Sequence, residues 1–122
     1  MSGCVKSYLF NPENGSIEYE KDSVVIPTSM GMPDGMAIDE EGMLWVALFG
    51  GFAVGRWNPI DGKLLNLIEL PAPKITNCCF AGEKLDKLVV TSARENMSDE
   101  ELAKYPESGG LFIIDNPGVK GR

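Results

Sequence analysis

In the stretch "PDGMAIDEEGMLWVALFGG", residues 33–51, two acidic turns stand a few residues apart, Pro33-Asp34-Gly35 and Glu40-Glu41-Gly42. An Asp between Pro and Gly is first of all a turn former, because Pro presets φ, Gly accepts positive φ and the Asp oxygen caps the reversal. The same carboxylate is a hard oxygen ligand for Ca²⁺ or Mg²⁺ and can serve as a general base. The composition narrows the chemistry sharply. No His occurs in the 122 residues, so His-based zinc sites and Ser-His-Asp or Cys-His catalysis are excluded within this chain. The three cysteines, Cys4, Cys78 and Cys79, include an adjacent pair and no C-x-x-C. Free thiols in a reducing compartment are expected, not a disulfide frame or a thiolate zinc site.

A formal charge of −7, with 11 Lys and Arg that form no basic block, argues against nucleic acid and anionic membrane surfaces as partners. No apolar run of about 18 residues is present, and "MSGCVKSYLF" lacks the charged flank and apolar core of a signal peptide. A soluble chain of at most one domain, retained in the cytoplasm, is the expectation.

The elements that must position these acids read as an all-β meander. Runs rich in β-formers cover 5–10, 23–26, 36–38, 43–48, 53–57, 64–70, 77–80, 87–91 and 111–114. Asn14-Gly15, Glu41-Gly42 and Asp61-Gly62 supply Gly where a hairpin needs positive φ. Residues 99–105, "DEELAKY" behind Ser98 as N-cap, form the one segment of helical character. "YLFNPENGSI" and "GRWNPIDGKL" superpose on Asn-Pro-x-x-Gly, with Asn11 and Asn58 separated by 58 − 11 = 47 residues. Asn116-Pro117 falls in the same phase if 92–109 is an insertion. A period of about 40 to 50 residues with four short strands each is a propeller-blade signature. The strands sort into half a blade (4–27), a complete blade (35–70) and a third blade (76–116) with the inserted loop 92–109. That makes about two and a half blades of a ring, completed by further chain or by association, since exposed blade faces and strand edges predict an oligomer.

In a four-stranded antiparallel blade the first and third turns lie at one rim and the second turn and the interblade link at the other. Glu40, Glu41 and Asp61 therefore share one rim. Asp34, at the start of an innermost strand, falls on the opposite rim near the axis, with Phe49-Gly50-Gly51, Thr76-Asn77 and the 92–109 loop. A ligand mouth is expected there. The plainer reading of Thr76, Asn77, Cys78 and Cys79 is inner-strand packing, and of Trp45 and Trp57 core packing.

The stretches P-D-G-M, L-W-V-A, N-P-x-x-G-K, T-N-C-C-F, T-S-A-R and S-G-G-L-F, in this order, resemble the senescence marker protein, regucalcin and gluconolactonase family over nearly the whole chain. The resemblance covers the C-terminal part of that family's length and implies a partial six-bladed β-propeller. It implies a divalent cation (Ca²⁺, Zn²⁺, Mg²⁺ or Mn²⁺) at the mouth and hydrolysis of sugar lactones, with calcium binding attributed to some members. The metal ligands it implies are a Glu, an Asn and the Asp of P-D-G, here Asp34, which also takes the catalytic role. The Glu and Asn positions would precede Met1, so the chain alone is expected to be inactive. Thr76, Asn77 and Phe49 are the expected substrate-lining residues. The implied partners are a sugar lactone and either a second copy or an N-terminal half. The alternative is a non-catalytic half-propeller scaffold that self-associates or binds calcium.

Overall fold

Nine strands, one short α-helix and a single 3-10 turn (Thr28–Met30) occur in residues 2–122, the part of the chain described by the computed structural model. In chain order they are β1 (Cys4–Phe10), β2 (Ile17–Val25), β3 (Met32–Ile38), β4 (Leu44–Phe49), β5 (Ala53–Trp57), β6 (Leu64–Glu69), β7 (Ile75–Ala81), β8 (Lys87–Ser92), α1 (Asp99–Lys104) and β9 (Leu111–Ile114). They form sheets of two, four and three strands, ordered β1-β2, β3-β4-β5-β6 and β7-β8-β9. Every pair is antiparallel between chain neighbours. The chain is part of a β-propeller, as its repeat predicts. No helix among the described residues is long and apolar enough to cross a membrane.

The repeated Asn-Pro-x-x-Gly is one turn built twice. Asn11 Oδ1 accepts the Glu13 amide and Asn58 Oδ1 the Ile60 amide, each at 2.9 Å. The backbone carbonyls of Asn11 and Asn58 accept from Gly15 and Gly62, both at 2.8 Å. Gly15 (φ 74°) and Gly62 (φ 75°) occupy the left-handed region that L-residues avoid. The side-chain oxygen thus does the work of a backbone acceptor and fixes both hairpins.

Strand β4 is buried on both faces, which is why "WVAL" reads as a continuous apolar run. Trp45 and Ala47 pack with Val54, Ile75, Cys78, Leu88 and Val90 between the middle and third sheets. Val46 and Leu48 pack with Val5, Val24, Ile26, Ala53 and Trp57 between the first and middle sheets. Two cores, one on each side of β4, hold three sheets together.

The β3–β4 turn is organised by Asp39, which has no exposed surface. Its Oδ1 accepts the Glu41 and Met43 amides at 2.9 and 3.0 Å. Its Oδ2 accepts Trp45 Nε1 at 2.9 Å and Arg56 Nε at 2.7 Å. Arg56 Nη2 continues to Glu41 Oε2 at 2.6 Å. The C-terminal residues lock this turn to the next blade: Gly121 bridges Asp39, the Glu40 amide donates to the Lys120 carbonyl at 2.8 Å, and the Gly121 amide donates to the Leu85 carbonyl at 2.8 Å.

Four elements have bounds that differ from the sequence reading. Strand β2 begins at Ile17 rather than Ser23, because the Asn14-Gly15 hairpin extends the ladder through "IEYEKD", where both faces are wet. Strands β3 and β7 begin at Met32 and Ile75, so Asp34 lies within its strand and not before it. The helix ends at Lys104 and carries the expected cap: Ser98 Oγ accepts the Glu101 amide while Glu101 returns its carboxylate to the Ser98 amide.

Burial pushes the Asp39 carboxyl up, but the Arg56, Trp45 and Met43 donors outweigh it and hold its pKa below the ordinary value. The group is therefore charged more readily folded than unfolded, and its stabilisation is present above about pH 4 and lost as pH falls through the lowered folded value. Asp39→Asn keeps the shape but leaves Arg56 half-matched. It should cost about 3 kcal/mol at pH 7 and flatten the loss of stability that sets in as pH falls below about 4. Urea unfolding at several pH values, followed by Trp fluorescence, checks both.

Candidate functional site

Asp34 sits at a β-bulge. Pro33 pairs with Leu48 and Met36 with Val46, so Asp34 and Gly35 together oppose Ala47 alone. A bulge of this kind re-aims the extra side chain out of the ladder. The Asp34 carboxylate is exposed and joins none of the ion pairs among the described residues. The next innermost strand repeats the device one blade on: Ile75 pairs with Ser92 and Asn77 with Thr91, leaving Thr76 as the extra residue. Two successive inner strands are thus bulged at matching depth, the first at Asp34-Gly35 and the second at Thr76.

The two bulges touch. A methyl group added at Gly35 would fall on the Asn77 side chain, so Gly35 is the space that lets Asn77 lie beside the Asp34 bulge. Asn77 Oδ1 accepts the Cys78 amide at 2.9 Å. The Thr76 hydroxyl is paired with Thr91 Oγ1 at 2.8 Å. Asn77 and Thr91, with Cys78, Cys79 and Val89, line a shallow recess of about 110 Å³. Phe49 lies at the end of β4 opposite Met32, two residues along β3 from Asp34, with the Lys74 ammonium 5.5 Å from its ring centre.

The geometry therefore packs Asn77 against Gly35, the residue after Asp34, ties Thr76 to Thr91, and leaves Phe49 toward the end of the strand. Lys74 and Thr91 were not singled out in the sequence. Lys74 directly precedes "ITNCCF", and its place at the end of an inner strand was the available signal. The adjacent cysteines point to opposite sides: Cys78 is buried with its thiol 3.4 Å from the Trp45 carbonyl, and Cys79 is exposed. Burial, with a smaller push from Cys79, raises the Cys78 thiol to about 12, so it is no nucleophile.

As a cation site the donors are right in type and short in number. Asp34 carboxylate, Asn77 amide oxygen and threonine hydroxyls are hard oxygen donors, as a divalent cation of the Ca²⁺ or Mg²⁺ kind requires. Yet no group of three His, Cys, Asp or Glu side chains that could hold a metal occurs among the described residues.

Residues 1–94 match the SMP-30/Gluconolactonase/LRE-like region. The chain belongs to this family. It is 40% identical over 121 residues to regucalcin of Homo sapiens and 42% identical over 117 residues to that of Danio rerio. Among solved structures it is similar to a luciferin-regenerating enzyme (TM-score 0.87, 32% identity) and to a protein of Agrobacterium tumefaciens described as a calcium-binding regucalcin (TM-score 0.82, 31% identity). These matches cover 96 to 99% of this chain and 40 to 41% of the relatives, so the chain spans about two fifths of their length.

Two outcomes test this arrangement. Gly35→Ala drives a methyl into Asn77 and should destabilise by about 1–3 kcal/mol, with Asn77→Gly in the same chain restoring most of the loss in a double-mutant cycle. In native protein at pH 8, iodoacetamide should alkylate Cys79 and leave Cys78 unmodified until urea unfolds the chain, as peptide mass spectrometry will read directly.

Proposed function

We propose that this chain forms the C-terminal part of a divalent-metal-dependent sugar-lactone hydrolase, with Asp34 as one of its metal ligands. The observation that carries the reading is an exposed carboxylate, in no ion pair among the described residues, set on a bulged inner strand in a chain of the gluconolactonase family. The calcium binding named for the Agrobacterium tumefaciens relative agrees with a hard-cation site. When bound, the cation supplies Lewis-acid polarisation of the ester carbonyl and charge stabilisation for the oxyanion. Asp34 would hold it, and the same carboxylate would orient the attacking water or accept its proton. Asn77 lies close enough to the bulge to meet a substrate hydroxyl, and Phe49 offers an apolar wall for the face of a sugar ring.

One carboxylate falls well short of the roughly six oxygens that such a cation takes, so the chain alone should be inactive. A second reading, a non-catalytic scaffold that self-associates, is favoured by the apolar side chains left open on the first and third sheets. Phe10 is 65%, Ile17 64% and Leu111 60% exposed.

Calorimetric titration with Ca²⁺ and Mg²⁺ and a gluconolactone assay should separate these readings. A ring that joins this chain to the remaining blades should bind metal and open the lactone, and Asp34→Ala in that ring should abolish both. A turn residue alone would cost about 1 kcal/mol of stability and leave the chemistry intact. Full activity in the substituted ring would sink the proposal, and a stable, inactive oligomer of the short chain with metal-independent ligand binding would favour the scaffold.

A further inference from the structure

The segment between β8 and β9, residues 93–110, leans away from its own sheet toward the one that carries Asp34. Its neck is closed by Ser92, whose Oγ accepts the Gly109 amide at 3.1 Å and donates to the Gly110 carbonyl at 2.7 Å. Beyond the neck, two grips reach the middle sheet. Lys74, just before β7, bridges Phe49 at the end of β4, and its ammonium donates to the Glu95 backbone carbonyl while lying over the Phe49 ring. The Ala93 amide donates to the Lys74 carbonyl at 2.8 Å, so both the main chain and the side chain of Lys74 hold the loop's first limb.

The second grip is Phe52, whose ring meets Tyr105 edge-on at 5.0 Å. Phe52 has φ 57°, the left-handed region that bulky L-residues avoid. That strain places the ring where the loop arrives. The loop itself has little to hold it: α1 has no buried residue, and six-residue helices do not persist alone. A segment so poor in buried apolar contacts belongs to the least stable part of a fold.

We propose that Lys74 is a latch that holds residues 93–110 across the Asp34 side of the mouth, and that the loop opens as a unit when the ammonium is withdrawn. A charge-assisted donor on a neutral carbonyl, over an aromatic face, is strong enough to favour the closed position and weak enough to release it. Its meaning as a gate rests on the proposed site at Asp34. The latch itself is tested with neither metal nor lactone present.

Limited trypsin digestion of the 122-residue chain and of its Lys74→Met and Lys74→Arg variants, read by mass spectrometry, gives the cleavage rates after Arg94 and Lys104, both exposed in the loop. Lys74→Met should speed these two cuts roughly 10-fold while cleavage after Arg56 and the thermal midpoint stay at wild-type values. Lys74→Arg should remain close to wild type, because a guanidinium also donates and also stacks on an aromatic ring. Wild-type loop cleavage in Lys74→Met would overturn the latch, as would an equal acceleration after Arg56, which would mark a general loosening. Loss of the lactonase reading leaves all of these rates untouched, so the two readings fail separately.

Discussion

Asp39 has no exposed surface, and an ionised carboxylate in such a place stands only if each oxygen is met. Four donors meet it: two amides of its own turn, the indole of the strand that follows and the guanidinium of the strand after that. The group thereby couples three successive segments of one blade at a single atom pair. Trp45 cannot rotate without abandoning Oδ2, and Trp45 is the largest side chain in the core shared with the third sheet. The position of one blade against the next thus depends on a carboxylate at the rim.

Fixing that rim frees the other. The C-terminal residues add to the Asp39 side, bridging the β3–β4 and β7–β8 turns through Gly121, whose lack of a side chain leaves room for Phe80. At the opposite ends of the same inner strands the ladders are interrupted at Asp34-Gly35 and at Thr76. Interrupted pairing costs stability locally, and it is tolerable where the remote end is secured. Asp39 and Asp34 are five residues apart on one strand and its turn, yet one is spent wholly on internal donors and the other, among the described residues, joins no ion pair.

The division into short antiparallel strands, the paired Asn-Pro-x-x-Gly turns and the capped helix were legible in the sequence because each rests on local chemistry. An Asx oxygen reaches two residues ahead, a Gly permits positive φ, and Ser98 and Glu101 satisfy each other's amides. The bulges were not legible, since a bulge is a property of two strands and only one of them carries the extra residue. Asp39 was hidden for a related reason. Its Asp-x-x-Gly spacing looks like one more acidic turn, and the Arg56 that makes it a buried ion pair is 17 residues away. Strand parity puts Asp34 at the end of the blade opposite Glu41, whereas the packing of Asn77 on Gly35 belongs to the gap between two blades, which no local pattern signals.

Inner strands of successive blades converge toward the axis of a propeller, so a site at the mouth draws few donors from any one blade. In this chain the middle sheet presents Asp34 and the third sheet Asn77 and Thr76, two of which are already committed to a neighbouring amide or hydroxyl. A hard cation needs several oxygens at 2.0–2.6 Å in every direction around it, and two adjacent blades can supply donors from one side only. The chemistry of such a site is therefore a property of ring closure. What a single blade can do beforehand is hold its one carboxylate out of the hydrogen-bonded ladder and, as with Asp34, in none of the ion pairs among the described residues.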